Sequence, residues 1–148
     1  MSADDAKETR CGFCAIIGAP NAGKSTLVNT LAGAKVAIVS HKVQTTRARL
    51  RAIVMEGEAQ IVLVDTPGIF QPRRTLDRAM VDNAWGGAGE ADAVVLLVDG
   101  RSGLTEDLQK IIEGLGNLRT KAFLVINKID LMKREDLLKT AEAFNAAY

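Results

Sequence analysis

Apolar positions recur in two patterns along the chain. Short continuous apolar runs fall at Gly12 to Ile17, Ala93 to Val98 and Ala122 to Ile126, and each reads as a strand buried on both faces. Helical spacing separates them. Lys24 to Leu31 predicts one helix, with Gly33 as its C-terminal cap. Leu76, Met80 and Ala84 predict a second, running through Trp85 and ending at Gly86-Gly87-Ala88-Gly89. The sole tryptophan, Trp85, is expected to pack that helix onto a sheet. Leu104, Leu108, Ile111, Ile112, Leu115 and Leu118 predict a third, and Arg134 onward a fourth. Lys35 to Ser40 is a short β-prone stretch, and Gln60 to Val64 reads as a strand returning from the turn Glu56-Gly57-Glu58. Strands alternating with helices predict an α/β fold, a mostly parallel sheet with helices on both faces and one antiparallel hairpin strand. The crossovers should be right-handed.

The chemistry gathers at strand ends. The first strand runs into Gly18-Ala19-Pro20-Asn21-Ala22-Gly23-Lys24-Ser25 and then a helix, the strand, G-x-x-x-x-G-K-[ST], helix arrangement of a phosphate-binding loop. Gly23 lets the backbone pass close to a phosphate. The N–H groups from the loop into the first turn at Thr26 point at an anion. Lys24 adds charge at the outer phosphates, and the Ser25 hydroxyl suits a magnesium ion bridging two phosphates.

The strand Gln60 to Val64 ends in Asp65-Thr66-Pro67-Gly68. An acid there points into the crevice where α/β proteins bind ligands, so Asp65 is the second candidate for magnesium, through a water. Gly68 can give its backbone N–H to a terminal phosphate. His41 to Thr46 is polar and lies between the first helix and the next strand, where a loop could lay a hydroxyl on the metal. Thr45 and Thr46 are the candidates, with Thr46 favoured. The strand Ala122 to Ile126 ends in Asn127-Lys128-Ile129-Asp130. Asp130 can accept from both the ring N–H and the exocyclic amine of guanine, a donor pair adenine lacks. The Lys128 stem can lie along the base, and Asn127 can tie the base site back to the phosphate loop. A P-loop kinase has no use for this last motif.

Other features read as ordinary. Cys11 and Cys14 have C-x-x-C spacing, but a zinc site needs four ligands and no second pair exists, so both read as small buried hydrophobes. Arg47, Arg49 and Arg51 alternate along a strand; a charged, solvated edge explains them better than a phosphate-contacting stripe. The 148 residues suit one domain, and a formal net charge of +1 carries no global nucleic-acid or membrane signature. Residues 1–10 lack the apolar core of a signal peptide and read as a flexible arm before a domain spanning 11–148. A cytoplasmic location is the expectation.

Together G-A-P-N-A-G-K-S, Val39 to Arg47 (V-S-H-K-V-Q-T-T-R), D-T-P-G and N-K-I-D resemble the Era branch of translation-associated GTPases. The resemblance implies a P-loop, Ras-like G domain that binds GTP and GDP with magnesium and hydrolyses GTP slowly. Lys24, Thr46 and Gly68 would serve catalysis. It further implies assistance to small ribosomal subunit assembly through a C-terminal KH-type domain that binds ribosomal RNA, and peripheral association of some members with the inner face of the cell membrane. In that family a Ser-Ala motif, a last strand and helix, and the KH-type domain would all fall beyond Tyr148, so the G domain is expected to be incomplete. Ile69 follows D-T-P-G where Ras-type proteins carry a water-orienting glutamine. Asn21 matches the position that helps hold a potassium ion in related GTPases, which would supply the missing positive charge. Two rivals remain, a related ribosome- or tRNA-modification GTPase and a guanine-nucleotide binding module with little hydrolysis.

Overall fold

A computed structural model describes residues 8–19, 21–35, 49–65, 85–86 and 88–148. Five strands make one sheet: β1 (Arg10–Gly18), β2 (Arg49–Glu56), β3 (Ala59–Asp65), β4 (Ala93–Asp99) and β5 (Lys121–Asn127). Their order is β2-β3-β1-β4-β5. β1 runs parallel to both β3 and β4, β4 runs parallel to β5, and only β2 is antiparallel, paired with β3. The predicted hairpin is therefore present, turning at Gly57 with φ of 59°. Among the described residues the longer helices are α1 (Lys24–Lys35), α2 (Glu106–Gly116) and α3 (Arg134–Ala147).

Period-two alternation sorts the strands onto two cores. On one face Ala15, Ile17, Val62, Val64, Val94, Leu96 and Val98 meet Leu108, Ile111, Ile112 and Leu115 of α2 and Phe144 of α3. On the other, Ile16, Ala52, Val54 and Leu63 meet Val28 of α1. Helices thus cover both faces. α2 begins where Thr105 accepts the Leu108 N–H on its hydroxyl oxygen, with Glu106 and Asp107 in the first turn, so the hydrophobic spacing from Leu104 is trimmed by its own cap.

Several sequence expectations are corrected. α1 continues through Gly33 to Lys35, because Ala34 and Lys35 are good helix formers and Gly33 takes no left-handed conformation. Residues 85–86 and 88–90 are helical and the chain leaves the helix after Glu90, so the helical conformation stops one residue past Gly89. Trp85 packs against the core that the sheet shares with α2 and α3, with its six-membered ring beside Gly114 of α2; a Cβ at Gly114 would sit 2.6 Å from Cη2 and Cζ2 of Trp85. β5 is not a buried strand. Among the described residues it pairs on one side only, with β4, and Phe123 is 51% and Leu124 39% exposed. Cys11 is exposed and only Cys14 is partly buried, where burial pushes its thiol pKa up. Among the described residues β2 is the opposite edge, as the arginine spacing suggested, but its register shifts between Leu50 and Ala52, which breaks the alternation that spacing assumed. The remainder of the Leu76 to Trp85 helix, the Val36 to Ser40 stretch, the arm before Glu8 and Arg47 lie outside the described residues.

A row of strand ends as the candidate nucleotide site

Parallel pairing brings the C-terminal ends of β1, β3, β4 and β5 to one edge, and the candidate residues lie along it. Past Gly18 the chain turns sharply. The Ala22 N–H donates to Ala19 O at 3.1 Å, and the Leu27 N–H donates to Gly23 O at 2.9 Å as α1 begins. Asn21 and Gly23 carry φ of 66° and 100°, the left-handed positions from which anion-binding turns are built. An open cleft of about 430 Å³ lies over this turn, lined by Ala19, Asn21, Gly23, Lys24, Ser25, Thr26 and Lys128.

Lys24 reaches from the first turn of α1 to the end of β3. Its Nζ stands 3.0 Å from Oδ1 of Asp65 and 3.5 Å from Gly18 O. Asp65 is 1% exposed, the only charged residue in the core among the described residues. Ser25 is exposed at the mouth of the cleft. Among the described residues no group of three or more His, Cys, Asp or Glu could hold a metal ion by itself. Two hard oxygen donors, one hydroxyl and one carboxylate, nonetheless suit magnesium, which keeps waters and takes its remaining ligands from phosphates.

The base motif grips the loop directly. Asn127 at the end of β5 donates its side-chain amide to Ala22 O at 2.9 Å, and Lys128 Nζ donates to Asn21 O at 2.6 Å. The same amide occupies the space a Cβ on Gly23 would need. Lys128 takes a left-handed conformation with φ of 59°, and the chain then enters a 3-10 turn, Ile129–Leu131, that carries Asp130 at the surface. Gly18, Ala19, Asn21, Ala22, Gly23, Lys24, Ser25, Thr26, Asp65, Asn127, Lys128, Ile129 and Asp130 are thus placed by the structure. Pro20, Thr45, Thr46, Thr66, Pro67, Gly68 and Ile69 lie outside the described residues.

One model of a protein family matches residues 13–128, and its description is 50S ribosome-binding GTPase. The chain belongs to that GTPase family. Among curated relatives it is 61% identical over 145 residues to GTPase Era of Afipia carboxidovorans, covering 98% of this chain and 47% of that protein. It is 60% identical over 144 residues to GTPase Era of Rhizobium meliloti, covering 97% of this chain and 46% of that one. The chain therefore spans about half the length of the curated relatives it matches. Two solved structures are similar. A point variant of Aquifex aeolicus Era bound to GDP·AlF4− superposes with a TM-score of 0.73 at 35% identity, over 95% of this chain and 48% of that one. Era in complex with MgGDPNP and nucleotides 1506–1542 of 16S ribosomal RNA superposes at 0.74 and 34%, with the same coverage. Sheet order, strand-end motifs and relatives agree on a P-loop GTPase domain similar to that of the Era proteins.

Two charged residues at this edge escaped the motif reading, Asp99 and Arg101. Asp99 ends β4 as Asp65 ends β3, and the rule that singled out Asp65 applies to it equally. Its Oδ2 lies 3.2 Å from Lys128 Nζ and 2.8 Å from Arg101 Nη2. The hydrogen bonds from the Arg101 guanidinium hold the Asp99 carboxyl well below the usual carboxylate range.

Proposed function

We propose that this chain is the guanine-nucleotide module of a GTPase switch that assists small ribosomal subunit assembly through ribosomal RNA. The observation that carries the reading is the double grip of Asn127 and Lys128 on the carbonyls of Ala22 and Asn21, which joins a base-reading turn to a phosphate loop. Lys24 and the loop N–H groups hold the phosphates. Ser25, Asp65 and Thr46 hold magnesium, which neutralises charge between the outer phosphates. Gly68 and Thr46 follow the terminal phosphate, so the loops carrying them respond to hydrolysis. Asp130 selects guanine.

Hydrolysis here rests on positioning and electrostatics, since Ile69 cannot orient water. Asn21, in the wall of the cleft, is the residue proposed to help hold potassium. The RNA contact is assigned to a KH-type domain outside these 148 residues, and the location to the cytoplasm, with peripheral attachment to the inner face of the cell membrane. Support comes from the Era relatives and from the Era complex that contains 16S ribosomal RNA.

The test is competition for fluorescent GDP in magnesium by unlabelled GTP and ATP. Displacement by GTP alone is expected, and displacement by both would remove the role given to Asp130. A turnover assay in potassium and in sodium then decides hydrolysis. Phosphate release beyond one equivalent, faster in potassium, is the expected outcome. A single equivalent would leave a binding module, and equal rates in the two salts would remove the role given to Asn21.

A further inference from the structure

We propose that Asp99 is a positioning residue for nucleotide binding, seating the Lys128 ammonium against the Asn21 carbonyl and so coupling the base-reading turn to the phosphate loop. The inference rests on the guanine-nucleotide reading above. Asp99 and Asn127 are paired at the ends of β4 and β5. Beyond them the Gly100 N–H donates to Asn127 O at 3.0 Å. A side chain at Gly100 would displace the end of the Met132 side chain and come within 3.0 Å of Ile126 Cγ2, so the close turn favours glycine. The Ser102 N–H and hydroxyl both donate to Asp99 O, at 3.1 and 2.8 Å. These bonds fix the Asp99 backbone beside Lys128.

The carboxylate is fixed in turn. Arg101 donates to Asp99 Oδ1 from its backbone N–H at 3.0 Å and from Nε at 3.1 Å, and to Oδ2 from Nη2 at 2.8 Å. A two-pronged guanidinium grip sets the plane of a carboxylate. Oδ2, held in that plane, also meets Lys128 Nζ at 3.2 Å, on the ammonium that donates to Asn21 O at 2.6 Å. A lysine stem left to itself samples many rotamers. Here both ends of its travel are set, one by an anion on β4 and one by a carbonyl of the phosphate loop. The Lys128 stem is thereby held in place before a base is laid along it, which lowers the ordering penalty on binding.

The experiment is release of fluorescent GDP and GTP from the 148-residue chain in magnesium, comparing wild type, Asp99→Asn, Asp99→Glu, Lys128→Ala and Asp99→Asn/Lys128→Ala. Asp99→Asn is expected to speed release about three- to tenfold, the size of one partly exposed charge-assisted contact, equally for both nucleotides. Asp99→Glu should recover part of the loss. In the Lys128→Ala background, Asp99→Asn should add nothing. If it speeds release as much there as in wild type, Asp99 acts only through the fold and the inference falls. If wild type holds guanine nucleotide and Asp99→Asn releases it at the wild-type rate, this inference alone falls. If wild type holds none, the nucleotide reading falls with it. Should Asp99→Asn not fold, Arg101→Gln loosens the same carboxylate. It is expected to speed release in wild type and not beside Lys128→Ala; an equal effect in both backgrounds overturns the proposal.

Discussion

The Lys24 ammonium and the Asp65 carboxylate meet at 3.0 Å across the seam between α1 and β3. Asp65 is closed off from water, so Lys24 offsets a charge that solvent cannot. Removing the cation by Lys24→Ala is expected to destabilise the domain by about 1–3 kcal/mol. Adding Asp65→Asn should recover part of that, since a neutral amide is less costly to bury. Denaturant unfolding of the two single variants, the double variant and wild type measures the coupling. An unchanged midpoint for Lys24→Ala would show that the pair contributes nothing.

Gly23 has two reasons to be glycine. Its φ is 100°, and the Asn127 amide fills the space of a Cβ. Gly23→Ala is expected to lose about 1–3 kcal/mol from the strained backbone alone. It should also weaken fluorescent GDP binding more than tenfold, because the displaced amide is the one that reaches Ala22. Normal GDP affinity in Gly23→Ala would mean that the Asn127 contact does not matter for the site.

Gly114 tests the packing of α2. Alanine there gains about 1 kcal/mol of helix propensity. Against this, the new methyl would lie 2.6 Å from two carbons of the Trp85 ring. Overpacking of this kind costs about 1–3 kcal/mol, so a net loss is expected. With one tryptophan in the chain, emission reports the ring directly. Gly114→Ala should lower the thermal midpoint and shift the emission maximum; a stabilised protein with unchanged emission would contradict the packing.

Asp99 gives a pH signature. The grip of Arg101 lowers its pKa in the folded chain, so the unfolded chain binds this proton more readily than the folded one. The stabilisation is therefore present above the ordinary aspartate pKa of about 4 and is lost as pH falls toward the lowered value. The stability difference between wild type and Asp99→Asn should grow from about pH 2 to pH 5 and stay level above. A difference that does not change over that range would place the interaction elsewhere.

The motifs were legible because each is a local signal. Gly23, Lys24, Asp65 and Asn127 stand where a strand stops, and the ends of parallel strands share one edge. The hairpin at Gly57 was equally local. What escaped was set by distant neighbours. Ala122 to Ile126 is as apolar as Ala93 to Val98, but only the latter has a strand on both sides among the described residues. Gly33 stays helical because the segment around it continues. Asp99 and Arg101 carry no motif, and their meaning came only when β4 was laid beside β5 and Lys128 arrived from the next strand.

The Asn127 amide and the Ala22 carbonyl that it reaches stand 105 residues apart in the sequence. Their contact closes only when β1, β4 and β5 lie side by side, since β4 stands between the two strands that carry them. Contacts of such long sequence separation form late, after local turns and helices. The phosphate loop can therefore take shape on its own stretch of chain, while the turn beside it is completed only once the sheet has assembled. Guanine-nucleotide binding thus reports the finished sheet and not its parts.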